Sequence, residues 1–513
     1  MKRLRTFLYS KSFNIIFSIL LNIGLFVYLS FFLYPYSYMI FCFGITLLFF
    51  ICLIFRNSNS KTNFILLLIC TCIPLLAICL FRYSSNVRGN KRLRNKWTEL
   101  NSLETGYTQE QNNAVLSTLS SKGAMINKTS KYLNASLNAP CYENNTAVFI
   151  GSGDQYFDDV AKSIRAAKKY IFIECNKMSD CKVWRDIFQL LKERTFAGVE
   201  VKLLYDDYNS RKAFKDKKTF QKLFNHKIET LAFNPLGAGV GKISAYRNYN
   251  NTIIIDGEFA YTGQFGISDD FVDKSAIGDA PKKKIACSVY VAGDAVISLT
   301  KNFVINWNLF ASQDALVLEK YLPKYYTKIK NKTYIQPFEI NPLVAENVCK
   351  NIQNNIINCA TNSLWIISPY LLIGSESRNA LISSFRCGVD VNIIVSKNYQ
   401  SKWKNDLAYT NYYSLVKEGI KVYTVDKTQL ESQMIIADCS NLLLGAGNVD
   451  SRKMYSPFQN GILIFSEEVA NNAMAYVEEI LPFCEQLTLK HLKKRKIVRK
   501  FNGAILKIFS PIM

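Results

Sequence analysis

Histidine is nearly missing from this chain: among 513 residues there are two, His226 and His491. No Cys-x-x-Cys pair and no Cys/His spacing of the zinc kind accompanies them, which excludes a structural zinc module; no metal or cofactor is expected. Of the 14 cysteines, those in the first 82 residues fall in apolar stretches and the rest are scattered singly. That pattern argues against a disulfide framework and for reduced thiols packed as small hydrophobes, as in a cytoplasmic domain. Acidic residues are the scarcer charge, 40 against 63 basic, leaving a net +23. Such an excess suits a partner bearing phosphates. The Lys and Arg residues are spread along the chain without an aromatic-interleaved recognition motif, so nucleic acid is not expected and anionic lipid is.

What the chain has in quantity is apolar sequence, 49% overall, much of it near the N-terminus. Ser12 to Leu33, Tyr38 to Phe55 and Phe64 to Phe81 are three such stretches. At 1.5 Å per residue each reaches roughly 30 Å, the thickness of a hydrocarbon core. A cleaved signal peptide is excluded for the first: it is too long, lacks a small-residue cleavage site and leads into more apolar sequence. Lys2, Arg3, Arg5 and Lys11 place the N-terminus inside, and Arg56 and Lys61 do the same for the loop after the second stretch. Arg82, Arg88, Lys91, Arg92, Arg94 and Lys96 also favour the inside, and Pro74 interrupts the third stretch. Two spans and a third segment that lies in the interface or re-enters are therefore expected, with the soluble part cytoplasmic.

Residues 83–140 are polar and read as a helical or partly flexible linker. Beyond them strand-like and helix-like patterns alternate. Phe157, Val160, Ile164 and Ala167 recur at helical spacing before the apolar run Tyr170 to Glu174; Trp184, Ile187, Leu190 and Leu191 precede Gly198 to Tyr205. The pattern recurs with Ile352, Ile356 and Ile357, then Leu364 to Tyr370, then Gly388 to Ser396. Such alternation predicts an α/β fold with sheets covered by helices. Gly198 and Gly388 open similar strands 190 residues apart, and Asp256 and Asp438 end similar segments 182 apart, so a tandem duplication is expected.

Those two segments are the most specific feature. Tyr249-Asn-Asn251 followed, after four intervening residues, by Asp256, and Glu431-Ser-Gln433 followed likewise by Asp438, share one register. Together with Leu203 to Ser210, Phe233 to Leu236, Tyr261 to Gly263, Trp307, Ser368 to Tyr370, Gly388 to Val391 and Gly445 to Asn448, the sequence resembles bacterial cardiolipin synthases of Gram-positive type, members of the phospholipase D superfamily. That family's motif is His-x-Lys-x4-Asp. Here both histidine positions (Tyr249, Glu431) and both lysine positions (Asn251, Gln433) are changed, while Asp256 and Asp438 remain.

The resemblance implies tandem phospholipase D-like repeats, mixed sheets flanked by helices, forming one pseudo-two-fold unit behind N-terminal transmembrane helices. The expected boundaries are 1–82 for the membrane anchor, 83–140 for the linker, 141–330 and 331–488 for the repeats, and 489–513 for a basic amphipathic tail. In that family one histidine attacks the lipid phosphorus, the other protonates the leaving glycerol, and the lysines hold the phosphate oxygens. Imidazole serves both tasks because it titrates near neutrality. Tyrosine, with a reference pKa near 10, is a weak nucleophile, and a glutamate facing a phosphodiester without lysine repels it. A catalytically inactive membrane protein is therefore expected, one that binds anionic phospholipid (phosphatidylglycerol, cardiolipin) or modulates an active phospholipid synthase or a second copy of itself. The alternative is an active phosphatidyl transferase condensing phosphatidylglycerol with unorthodox residues. Asn448 and Arg452, with Asn251 and Gln433, are candidate donors to a phosphorylated head group.

Overall fold

The protein is described by a computed structural model covering residues 11–33, 36–54, 60–86, 91–106, 113–210, 226–235, 246–272, 284–311, 315–323, 333–344, 346–397, 402–425, 430–445 and 457–509. It divides into two units, one largely N-terminal and one α/β.

In the N-terminal unit, the helix Lys11–Val27 continues through a π-helical turn, Tyr28–Leu33, and is followed by the helix Ser37–Ile54. Within these, Phe13–Phe31 and Ser37–Ile54 are long and apolar enough to cross a membrane. The third apolar stretch is two helices, Ser60–Cys72 and Pro74–Asn86, parted at Ile73. Pro74 cannot donate a backbone hydrogen bond, and each resulting helix spans only about 20 Å. Phe49, Leu53, Leu66, Cys70 and Ala77 form a small core among these helices.

The α/β unit holds two mixed sheets. Its first strands are β1 (Asn145–Ile150), β2 (Tyr170–Cys175), β3 (Glu200–Asp206), β4 (Ile228–Phe233), β5 (Arg247–Asn248), β6 (Asn251–Ile255), β7 (Phe259–Gly263) and β8 (Ser288–Gly293). All but β5 form one sheet in the order β1-β8-β7-β6-β2-β3-β4, with β2, β3 and β4 parallel and the rest antiparallel. The remaining strands are β9 (Tyr334–Ile340), β10 (Ser363–Ile367), β11 (Asp390–Ser396), β12 (Lys421–Val425), β13 (Met434–Ala437), β14 (Asn441–Leu444), β15 (Pro457–Phe465) and β16 (Cys484–Gln486). They run β16-β12-β11-β10-β13-β14-β15, with both β9 and β5 on β15.

Parallel neighbours need crossover connections, and the helices Lys182–Phe196 and Ser375–Arg386 supply them between β2 and β3 and between β10 and β11. Covered on both faces, β2 buries all six of its residues. One face of the first sheet packs Ile171, Ile173, Leu203 and Ile253 against the helices Gly153–Ala166 and Lys182–Phe196. The other face joins a core shared with the second sheet, where Phe172, Phe303, Trp307, Ile367, Ile436 and Ile462 meet. The helix Val296–Phe310 runs through that core and is buried almost all round. Residues 91–137, polar by composition, are helical at Lys91–Thr105, Asn113–Lys122 and Ala124–Leu137. Leu119 and Leu133 are fully buried there, and Gln336 Nε2 donates to the carbonyls of Ser130 and Ala139 at 3.0 and 2.7 Å.

Candidate functional site

The two motif segments converge because each is stitched to the other half of the unit. β5 pairs with Pro457–Phe458 of β15, and the Tyr249 amide donates to the Phe458 carbonyl at 2.9 Å. Reciprocally, the amides of Glu431 and Ser432 donate to the Ile285 carbonyl at 2.7 and 3.1 Å. Tyr249 and Glu431 thus come within electrostatic reach. Burial raises the Tyr249 phenol above its ordinary pKa; Asp206 adds to the rise, Arg247 opposes it, and Tyr208 and Glu431 add further. The phenol therefore stays protonated at neutral pH.

The surroundings of the other motif positions are neutral or internally paired. Asn251 Oδ1 accepts from the Asn176 amide at 3.2 Å. Gln433 Oε1 accepts from Gln459 Nε2 at 3.0 Å, and Gln459 also donates to the Gly445 carbonyl. Gly445, at φ 93°, lies so close to β15 that a Cβ would come within 2.4 Å of the Asn460 carbonyl oxygen. Lys284 stands 3.9 Å from Glu431 Oε1, but its nearer carboxylate is Asp270 at 3.2 Å. Arg247 lies 3.5 Å from the buried Asp206 and donates to the Asn234 carbonyl at 3.0 Å.

The aspartates sit at the far ends of β6 and β13. Asp256, at φ 55°, accepts from the amides of Lys168, Lys169 and Tyr170 at 2.8, 2.7 and 2.8 Å. Asp438, at φ 54°, accepts from those of Thr361, Asn362 and Ser363, the shortest at 2.7 Å, and from the Thr361 hydroxyl. Each carboxylate ties a turn to the start of its sheet's central parallel strand. Neither histidine joins the site: His226 lies against the rings of Phe188 and Phe196, and His491 lies 3.7 Å from Glu485. Asn448 and Arg452 lie outside the described residues.

Behind the motif is a buried polar layer that pattern reading did not identify. Glu174 Oε1 accepts from Asn248 Nδ2 at 2.6 Å and Asn306 Nδ2 at 3.1 Å. Glu339 Oε1 accepts from the same Asn306 amide at 2.5 Å and from Asn250 Nδ2 at 3.0 Å. Asn460 continues the layer to Asn302 at 3.0 Å and Thr252 at 3.1 Å. Burial pushes Glu174 up to about 7, against the hydrogen bonds of Asn250, Asn248 and Asn306. Burial, and then Glu174 itself, push Glu339 up to about 8. The available signal was a single polar residue inside an otherwise apolar run, as in Tyr170-Ile-Phe-Ile-Glu174 and Val304-Ile-Asn306-Trp307.

The cardiolipin synthase PLD-like domain matches residues 354–481. A protein of Streptococcus mutans described as uncharacterized is 25% identical over 461 residues, covering 89% of this chain and 98% of its own. A cardiolipin synthase of Clostridium perfringens is 26% identical over 473 residues, covering 89% of this chain and 95% of its own. Among solved structures, phosphatidylserine synthase of Haemophilus influenzae superposes with a TM-score of 0.56 at 14% identity, over 75% of this chain and 97% of that one, a likeness of fold. These matches, with the two registers of the His-x-Lys-x4-Asp kind, make the chain similar to cardiolipin synthases of the phospholipase D superfamily, and in this chain neither register holds histidine or lysine.

Proposed function

We propose that this protein is a membrane-anchored, catalytically silent relative of cardiolipin synthases that binds anionic phospholipid and acts by modulating an active phospholipid synthase. One observation carries the reading: the motif positions offer neither an imidazole nor a lysine to clamp a phosphate. The Tyr249 phenol is held protonated. The cations that reach these positions, Arg247 at Tyr249 and Lys284 at Glu431, each face a carboxylate already. Among the described residues, the cations beside Glu431 and Tyr249 are engaged by carboxylates, and phosphoryl transfer depends on preorganised positive charge.

The two sheets are proposed to be tandem repeats around one pseudo-two-fold axis. Their strand orders correspond: β2-β3-β4 to β10-β11-β12, and β6-β7-β8-β1 to β13-β14-β15-β9. The apolar helices Phe13–Phe31 and Ser37–Ile54 are proposed to span the membrane, leaving the α/β unit in the cytoplasm. That all fourteen cysteines are free supports a reducing compartment.

The test is an assay of the purified full-length protein in vesicles of phosphatidylglycerol. No cardiolipin and no glycerol should form, a rate at least about 10⁴-fold below that of an intact synthase, since general acid–base groups alone contribute about 10²–10⁴. Restoring the motifs together, Tyr249→His, Asn251→Lys, Glu431→His and Gln433→Lys, should recover little, because Gln459, which donates to Gln433 and to the Gly445 carbonyl, remains arranged for an amide. Time-dependent cardiolipin formation that Glu431→Ala abolishes would establish the alternative, an active transferase with unorthodox residues.

A further inference from the structure

We infer that the C-terminal helical segment forms a docking surface for an anionic phospholipid bilayer, with Ile497, Val498 and Phe501 inserted among the acyl chains. The surface is independent of whether the motif site is catalytic. After Glu485 the sequence contains no acidic residue, while Lys490, Lys493, Lys494, Lys496, Arg499 and Lys500 are all exposed. They share this segment with the three apolar side chains, which are 82%, 68% and 64% exposed.

The segment is anchored from its other side. Thr488 caps the short helix Leu489–Lys493, whose Leu492 is buried. Arg495 turns inward: its guanidinium donates to Asp406 at 2.8 Å and lies 3.9 Å over the Tyr409 ring. In the helix Ile497–Phe509, Gly503 abuts the helix Lys402–Glu418 so closely that a Cβ would come within 2.6 Å of the Asp406 carbonyl oxygen. At 100° per residue, Ile497, Val498 and Phe501 share a stripe that lies opposite Gly503. Packing therefore fixes which face is presented: an apolar stripe with Lys500 on its flank, in a segment rich in exposed basic side chains.

An anionic bilayer satisfies both properties at once: head groups meet the lysines and acyl chains receive the apolar stripe. A nucleic acid would answer the charge but leave three large apolar side chains in water. A second copy of the chain would set one cationic segment against another.

The test is Phe501→Trp in the full-length protein, reconstituted into bilayers of phosphatidylglycerol with brominated acyl chains, with Val498→Trp as a second reporter position. The membrane helices hold the protein in the bilayer, so the fluorescence added over the parent reads only the C-terminal segment. The added emission should be blue-shifted, largely quenched by the bromines and shielded from aqueous acrylamide. That quenching should fall roughly twofold or more in phosphatidylcholine, and likewise in about 1 M salt, where the Debye length shortens to about 3 Å. Acrylamide-accessible emission indifferent to bromine would overturn the inference. So would blue-shifted emission that bromine does not touch, the sign of a protein covering the face. Equal quenching in phosphatidylcholine would refute the selection for anionic lipid.

Discussion

Asp256→Ala should cost the α/β unit about 4 kcal/mol of stability, among the largest losses available to a single substitution outside the hydrophobic core. The carboxylate accepts three backbone N–H bonds, from Lys168, Lys169 and Tyr170, and is 94% buried by its 6% exposure. Hydrogen bonds to a charged group contribute about 1.5–3 kcal/mol each, and amides left without a partner lose more where water reaches them poorly. Alanine must also hold φ 55°, a left-handed conformation that costs a non-glycine residue about 1 kcal/mol. Asn keeps one acceptor oxygen and tolerates that conformation, so Asp256→Asn should lose about half as much. Asp438→Ala should lose less than Asp256→Ala, about 2 kcal/mol, because Thr361 and Asn362 are exposed and water can replace the carboxylate there. All five tryptophans, Trp97, Trp184, Trp307, Trp365 and Trp403, lie in the α/β unit, so urea unfolding in detergent followed by their fluorescence reads this unit alone. An Asp256→Ala midpoint indistinguishable from the parent would remove the latch assignment. Both aspartates thus have structural work that does not depend on catalysis, which accounts for motifs retaining Asp where His and Lys are gone.

The parts of the fold legible in the sequence are those whose signal is local. The run Tyr170 to Glu174 becomes β2, and the strand after Gly388 becomes β11, because short apolar runs that follow a helical pattern, the second across a glycine junction, fit a buried strand. The motif register was legible too, since Asp256 and Asp438 mark strand ends at matched spacing. β9 was not. Pro337 within it argues against a strand interior, and the structure accommodates it by leaving β9 paired with β15 alone within the sheet. Nor was the role of the helix Ala124–Leu137: with Leu133 fully buried it packs on the helix Val348–Cys359 and on β9, far away in sequence, which polar composition cannot reveal. The acid layer escaped for a similar reason. Asn250, Asn306 and Glu339 belong to a loop, a helix and a strand far apart in sequence, and each alone reads as an ordinary polar residue. Only the meeting of the two sheets places Asn306 between Glu174 and Glu339.

That meeting gives the protein a stability profile that should fall with pH in the neutral range, and Glu339→Gln should abolish much of the fall. Glu174 and Glu339 are held up to about 7 and about 8 from an ordinary 4.5, by burial first and, for Glu339, by Glu174 next. The folded state therefore keeps protons that the unfolded chain releases above pH about 4.5. The stabilisation is fully present below that pH, declines as pH rises, and is lost through 7 to 8. Its slope is up to about 1.4 kcal/mol per pH unit for each proton retained. The groups facing the pair are the amides of Asn248, Asn250 and Asn306 and the ammonium of Lys301. Lys301 is itself lowered to about 8 by burial, against Glu104 and Glu339, so its contribution has the opposite sign but enters only above pH 8. Between pH 5 and 8 the two acids set the trend. In Glu339→Gln the amide oxygen can still accept from Asn250 and Asn306, and no charge develops on raising the pH. The variant should match the parent near pH 5 and exceed it by about 2 kcal/mol near pH 8.5, where the parent must hold an ionised carboxylate in the layer. Urea midpoints from tryptophan fluorescence across that range test it. Parallel parent and variant curves, or a variant weaker at every pH, would show that Glu339 does not keep a proton in the folded protein.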